Sequence, residues 1–339
     1  MLVFVTLALG AVSPGLVQPN VVWIHLLYAQ DYYVSVGHMG VFVVGGSDVR
    51  RYDFNGSLVW LRSGTLPYGY GSGISVGNDG VYVIDTSVVQ KLDFDGNLVW
   101  TREFGGVDSV AFGVSVAPNG VYVVGFAGQP LYSSGLLEKF DSSGNALWTR
   151  LIQVTGGYTW ISGISVTQTR VFITGSNDCS PHTLCQLPAD QAGGFMKAFD
   201  SNGNELWSRQ SGTPGYSQVS AGPTGIYRIN ALNGLLAKYD FNGTRLWAVA
   251  SGPSETLPRG IFATATGIYV VGLHYHVWPF DAFAQRFDTD GNVVWSLIFG
   301  TSAQDVASSA LSASISPGGI FVSGSDFIGK LCDRASCHA

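Results

Sequence analysis

The chain repeats itself, and the period of that repeat restricts its fold more than any other feature. Two phrases alternate along the 339 residues. The first is Gly-(Val/Ile)-(Phe/Tyr)-(Val/Ile), with its aromatic residue at Phe42, Tyr82, Tyr122, Phe172, Tyr227, Tyr269 and Phe321. Two copies are irregular. Arg170 stands where Gly is expected, and Arg228 where an aliphatic residue is expected. The second phrase runs from a basic residue through an aromatic residue or Leu to Asp, a Gly turn and a Trp. QKLDFDGNLVW and QRFDTDGNVVW are its clearest copies, and its tryptophans are Trp60, Trp100, Trp148, Trp207, Trp247 and Trp295.

Each phrase carries a strand signal. Alternating apolar residues around an aromatic describe a strand buried on both faces. The Asx and Gly residues between Asp and Trp supply the positive φ of a hairpin turn. A further short strand precedes each aromatic phrase, as in GISVGNDG and GVSVAPNG. Each unit therefore holds four strands in about 40–59 residues, the size of a propeller blade. The expected fold is an all-β, seven-bladed β-propeller with four antiparallel strands per blade. A distorted unit would change the count to six or eight, and Ser220–Asn230 is the weakest copy. The seventh unit stops after GGIFVSGSDFIGKLCD, while Asn20-Val-Val-Trp23 at the other end matches the ending at Trp295. Ring closure by the N-terminal strand follows, with Val21–Ile24 pairing Ile328–Leu331, which removes an exposed sheet edge.

Composition removes several function classes. Charged residues are only 12% and hydrophobic residues 46%, so the chain has apolar area to bury and is not a charge-rich disordered segment. A net charge of −6 offers no basic footprint, so nucleic acid is not an expected partner. Residues Leu2–Val12 form an apolar run too short to span a bilayer as a helix, and no later run reaches 18, so no membrane span is expected. That run has the length of a signal-peptide core, with small residues Ala8 and Gly10 placed as cleavage residues are. Residues 1–18 are therefore read as signal-peptide-like or disordered, and 19–339 as one propeller domain.

The repeat unit resembles the SBBP-type beta-propeller repeat of bacterial and archaeal proteins. The likeness rests on the Lys-Tyr-Asp, Gly-Asn, Leu-Trp strand and the Gly-Asn-(Val/Ile)-Tyr-Val strand, and it covers nearly all of residues 20–333. The resemblance implies a secreted or cell-surface location and no particular chemistry. Two Asn-x-Ser/Thr triplets, at Asn55 and Asn242, are compatible with export.

Four cysteines fall into two close pairs, Cys179/Cys185 and Cys332/Cys337. Both are disulfide candidates, as suits an oxidising compartment. Cys179 and Cys185 with His182 and Asp178 also offer zinc donors, though at looser spacing than zinc pairs favour. Cys332-Asp-Arg-Ala-Ser-Cys337-His338 holds two thiols followed by His, as covalent haem attachment does, but with a longer spacer than usual. Local disulfides are the preferred reading, so no cofactor and no metal are expected. The Asp-x-Asp-Gly-Asn turns at Asp93 and Asp288 resemble the start of a calcium loop but lack the further oxygen ligands. They are read as structural turns. No GxSxG, HExxH or P-loop occurs.

Length variation points to a binding face. From each aromatic to the next Trp the gap runs from 18 to 35 residues, against 19 to 26 from each Trp to the next aromatic. The variable stretch holds the connection between second and third strands, on the face that also carries the links between blades. Blades three, four and six are enlarged. Candidate binding residues there are Tyr132, Trp160, His182, His274, His276 and Trp278, on a rim that also includes Tyr68, Tyr70, Tyr158 and Arg259. Aromatic residues so placed stack on sugars or anchor a protein, so the expected partner is a protein or glycan ligand. His274 and His276 share one side of an extended segment, as metal ligands do, but no third ligand is visible. Three functions compete: an extracellular or surface binding module, an extracellular enzyme acting on a glycan or lactone at the channel mouth, and a haem-carrying redox protein. The first is preferred.

Overall fold

The computed structural model describes residues 19–27, 32–128, 133–153, 158–178, 193–210, 215, 217–275, 281–299, 310–316, 319–325 and 327–332. Among these residues twenty-eight strands form seven four-stranded antiparallel sheets. β1 (Asn20–Leu26) comes first in the chain and last in the ring. Blade one is β2 (Tyr32–Gly37), β3 (Gly40–Gly45), β4 (Asp48–Tyr52) and β5 (Leu58–Arg62). Blade two is β6 (Gly71–Val76), β7 (Val81–Asp85), β8 (Val88–Leu92) and β9 (Leu98–Glu103). Blade three is β10 (Ser109–Ala117), β11 (Gly120–Ala127), β12 (Ser134–Phe140) and β13 (Ala146–Ile152). Blade four is β14 (Tyr158–Val166), β15 (Arg170–Asp178), β16 (Gly193–Asp200) and β17 (Glu205–Gln210). Blade five is β18 (Ser217–Gly222), β19 (Gly225–Asn230), β20 (Leu235–Tyr239) and β21 (Arg245–Ala250). Blade six is β22 (Thr256–Ala263), β23 (Ile268–His274), β24 (Asp281–Phe287) and β25 (Val293–Phe299). Blade seven is β26 (Ala310–Ser316), β27 (Gly319–Gly324) and β28 (Phe327–Cys332), with β1 as its outer strand.

The seven-bladed expectation holds, and so does closure. Val21 faces Leu331, Trp23 faces Lys330 and Ile24 faces Gly329. Blade five, the weakest copy in sequence, is a regular four-stranded sheet. The core is divided into seven apolar clusters, one at each blade interface. Arg228 enters the interface of blades four and five, where its neighbours in other blades are aliphatic. It is 4% exposed and donates to Ser217 Oγ at 2.6 Å. Burial lowers its pKa, while Tyr239 acts in the opposite direction.

The Trp phrase joins each blade to the next. Trp60, Trp100, Trp148, Trp207 and Trp247 donate Nε1–H to the carbonyls of Phe94, Ser142, Ser201, Phe241 and Thr289, at 3.0–3.3 Å. Each ring lies over the Gly of the neighbouring turn. A Cβ on Gly144 would meet the Trp100 ring at 2.9 Å, and one on Gly56 would meet Trp23 at the same distance. Repetition of the phrase leads one to expect all six to be largely buried, and they are not. Trp100 and Trp295 are buried, but Trp60, Trp148, Trp207 and Trp247 are half-buried.

Four of these carbonyls accept a second bond from the basic residue of the phrase: Arg51 reaches Phe94 O, Lys91 Ser142 O, Lys139 Ser201 O and Lys238 Thr289 O. At the closure Lys330 reaches Phe54 O in the same way. The basic stem lies across the Gly that opens each second strand, and a Cβ on Gly120 would come within 2.7 Å of Lys139 Cε. Blade four has Ala198 at the basic position and Arg170 at the Gly position. Arg170 Nη1 donates to Phe241 O, the carbonyl that the missing Lys would have reached. One irregularity thus offsets the other. Arg170→Gly is expected to lower unfolding free energy by about 1–3 kcal/mol, as loss of a charge-assisted bond does. Adding Ala198→Lys should restore most of it. Denaturant titration of the single and double variants reads the coupling, and additive losses would sink the compensation.

Candidate functional site: the channel mouth and its loop face

Seven innermost strands, β2, β6, β10, β14, β18, β22 and β26, surround a central channel. In five of them pairing with the second strand shifts register. The shifts fall between Gly71 and Gly73, Ala111 and Gly113, Ile161 and Gly163, Pro258 and Gly260, and Ala310 and Ser312. These are β-bulges, which leave one residue unpaired and re-aim its side chain. The extra residues include Ser72, Phe112, Ser162 and Arg259, and all four line a channel cavity of about 470 Å³. Tyr33 and Gln218 line it from the two unbulged strands, β2 and β18. Ser72 Oγ donates to Ala111 O at 3.2 Å, and Gln218 Nε2 donates to Ser162 O at 2.8 Å, so these groups also tie adjacent blades. Arg259 is exposed to the cavity, whose lining has no Asp, Glu or Lys among the described residues.

Further along the same strands lies a serine ring. Ser35, Ser75, Ser165, Ser220 and Ser314 accept the N–H of Val76, Val116, Ala221, Ala263 and Val36 at 3.0–3.2 Å. The last bond closes blade seven onto blade one. Reading the sequence for strands alone missed both features. Their signal was the recurring x-Gly-(Ile/Val)-Ser-Val, whose first position is the bulge residue and whose Ser is the stitch.

Links between blades leave on the same side as the channel mouth, and buried polar groups hold them. Asp85 accepts the N–H groups of Tyr68, Gly69 and Tyr70 at 2.7–3.2 Å. Glu138 accepts the N–H of Gly105, and Gln285 that of Gly252. Burial raises the Glu138 pKa, against the pull of Gly105 N–H and Thr149. Tyr68 and Tyr70 are thereby presented to solvent, Tyr70 at 74% exposure.

Of the residues expected on this face, Trp160 stands in β14, half-buried and stacked on Tyr158 with centroids 5.0 Å apart. His274 ends β23 and pairs with Asp281 across the sheet. Tyr132, His182, His276, Trp278, Cys179, Cys185 and Cys337 lie outside the described residues. Cys332 is buried at the end of β28. No cluster of His, Cys, Asp and Glu suited to a metal occurs among the described residues. No helix among them is long and apolar enough to cross a membrane.

The opposite face is occupied by the Asp turns. Asp53, Asp93, Asp141, Asp200, Asp240 and Asp288 each accept the N–H groups two and four residues on at 2.8–2.9 Å. Their carboxylate oxygens hold the turn, as the structural-turn reading expects. A second cavity, about 540 Å³ between blades two and three, includes Asp79 and Asp141. Asp79 is paired with Lys91 at 2.6 Å.

All six turn aspartates titrate below the ordinary 3.8. For Asp53 and Asp240 the first cause is the N–H of Ser57 or Thr244. For Asp141 and Asp200 it is the side-chain amide of Asn145 or Asn204. At Asp93 and Asp288 burial acts upward and the bonds from Asn97 and Asn292 outweigh it. A pKa depressed by folding stabilises above the unfolded value, and that contribution disappears as pH falls through the folded value. Glu138, raised by burial, has the opposite sign, one group against six. Melting temperature is therefore expected to drop as pH falls below 3.8, and to drop less steeply in an Asp141→Asn/Asp200→Asn variant. Parallel pH profiles for the two proteins would contradict this account.

No protein-family model matches the chain, and no curated protein matches it in sequence. Solved structures do match. The crystal structure of BamB from Moraxella catarrhalis superposes with a TM-score of 0.55 at 12% identity, over 95% of this chain and 99% of that one. The Pan2 WD40 domain from Neurospora crassa gives 0.52 at 12% identity, over 81% and 76%. A protein of unknown function from Bacteroides caccae gives 0.50 at 11% identity, over 80% and 94%. At such identities the likeness is one of fold, and the chain is a β-propeller similar in architecture to these proteins.

Proposed function

We propose that the protein is an extracellular or cell-surface interaction module that takes a protein or glycan partner on its loop face. The observation that carries this reading is the contrast between the two faces. The turn carboxylates are consumed by backbone, whereas Asp85 holds a link that presents Tyr68 and Tyr70 to solvent. Aromatic residues on a rigid support lose little order on binding, which preserves affinity. The short apolar run at Leu2–Val12 and the even cysteine count support export, with Cys179/Cys185 and Cys332/Cys337 as disulfides and kinship to SBBP-type repeats. For the enzyme alternative, the channel lining offers no pair of carboxylates among the described residues, and glycoside hydrolysis ordinarily needs such a pair.

Glycan and peptide arrays probed with the whole protein test this. Hits should weaken by at least about 1 kcal/mol with Tyr70→Ala or Trp278→Ala, with melting temperature nearly unchanged. His38→Ala and Asn119→Ala, on the turn face, should bind as the parent does. Loss confined to those two would place the partner on the wrong side of the ring for this proposal.

A further inference from the structure

We infer that the channel-mouth cavity, apart from the loop rim, is a site for a small organic carboxylate with an aromatic or flat apolar body. The bulges give the first argument. In x-Gly-(Ile/Val) the frame repeats while the first residue changes, from Ser72 to Phe112 to Ser162 to Arg259. The bulge sends this varied position into the cavity. A structural repeat that spends its irregularity on channel-facing side chains is composing a lining, and bulges are frequent next to functional sites.

Charge gives the second argument. The chain carries a net −6, yet among the described residues the only fully charged side chain in the cavity lining is Arg259. Among the described residues it has no hydrogen bond and no ion pair, unlike Arg51, Arg62, Arg102, Arg150 and Arg209, which all donate to backbone carbonyls. A single guanidinium presents a planar fork that matches one carboxylate in bidentate fashion. It compensates one negative charge, so a monocarboxylate fits better than a phosphate dianion.

Placement around the ring gives the third. Phe112 in blade three stands three blades from Arg259 in blade six, and Tyr33 in blade one stands two blades away. The aromatic rings therefore occupy the part of the wall remote from the cation. A ligand that meets both has an anionic end and an apolar end. A volume of about 470 Å³ lies in the range of small-molecule pockets.

Calorimetric titration of the whole protein with three probes tests the site: phenylacetate, its neutral counterpart phenylacetamide, and inorganic phosphate. Phenylacetate should bind saturably at one site, with phenylacetamide and phosphate at least about tenfold weaker, the ratio expected for one charge-assisted hydrogen-bonded contact. Arg259→Gln should remove the preference for phenylacetate over the amide. Phe112→Ala should weaken both aromatic probes, and Tyr70→Ala should change neither. Arg259→Lys, which keeps the charge without the fork, should fall between parent and Arg259→Gln and serves if the latter does not fold. The inference is overturned by no saturable phenylacetate binding, by unchanged selectivity in Arg259→Gln, by phosphate binding as tightly as phenylacetate, or by loss of probe binding in Tyr70→Ala. None of these outcomes bears on array binding at the rim, so the two readings fail separately.

Discussion

Deleting residues 1–26 is expected to abolish the soluble monomer. β1 supplies the outer strand of blade seven, and without it the edge of β28 is open. An unpaired, apolar edge invites pairing with another chain. The loss is also one of packing across the closure. The Trp23 ring covers Gly56 of blade one, His25 Nε2 lies 2.6 Å from Gly56 O, and the His25 ring stacks on Tyr52. Val21 and Ile24 pack on the cluster that holds Phe327 and Leu331. Removing a Trp and two aliphatic side chains costs on the order of 5–10 kcal/mol, comparable to the whole stability of a typical domain. Sedimentation and thermal melting of the truncated chain read the result. A soluble monomer with the parent's melting temperature would refute closure as a source of stability.

A permuted chain separates the strand from its position in sequence. Leu331 faces Val21 as Tyr52 faces Leu58, and Lys330 faces Trp23 as Arg51 faces Trp60. Cys332 and Asn20 therefore stand where Asp53 and Ser57 stand in blade one. Joining them through Phe-Asn-Gly, the residues between Asp53 and Ser57, with Cys332→Asp to hold the turn as Asp53 does, rebuilds the hairpin. With new termini in another blade's link, that chain should melt no lower than the parent.

The blade frame was legible because every unit repeats the same chemical constraints. A Gly must admit the Lys stem, an Asp must fold the turn, and a Trp must cover the next Gly. Arg170 looked like an error in that grammar, and its meaning needed Ala198 placed beside it in space. The channel lining was not legible, because a bulge adds one residue without changing the strand's hydrophobic pattern. Arg259 was therefore assigned to the rim rather than to the channel wall. The exposure of Trp60 and Trp148 was missed for a related reason. Repetition in sequence shows that positions are equivalent, but it does not say how far the outer strand is covered. The loops of blades three, four and six were legible only as length, and length does not say which side chains converge.

The second large effect is expected at Trp100. Its ring is 8% exposed, packs against Tyr82 and covers Gly144, while Arg102 lies 5.7 Å over its centroid. Trp100→Ala leaves a cavity between blades two and three and should cost about 3–5 kcal/mol. Trp148→Ala, at a half-buried ring, should cost less, since less apolar area leaves water there. Replacement by Phe isolates the hydrogen bond. Trp100→Phe removes the donor to Ser142 O, but Lys91 Nζ still donates to that carbonyl at 3.1 Å, so the acceptor is not orphaned. The cost should be about 1 kcal/mol rather than the 1–3 of an unsatisfied buried group. Adding Lys91→Met to Trp100→Phe strands the carbonyl and should cost more than the sum of the two single changes. Trp295 offers the control. Its Nε1 is buried with no hydrogen-bond partner among the described residues, so Trp295→Phe gives up packing alone. Chemical denaturation of these variants reads the ordering. Equal losses at Trp100→Ala and Trp148→Ala, with strict additivity in the Lys91 pair, would mean that the shared carbonyl does not couple the blades.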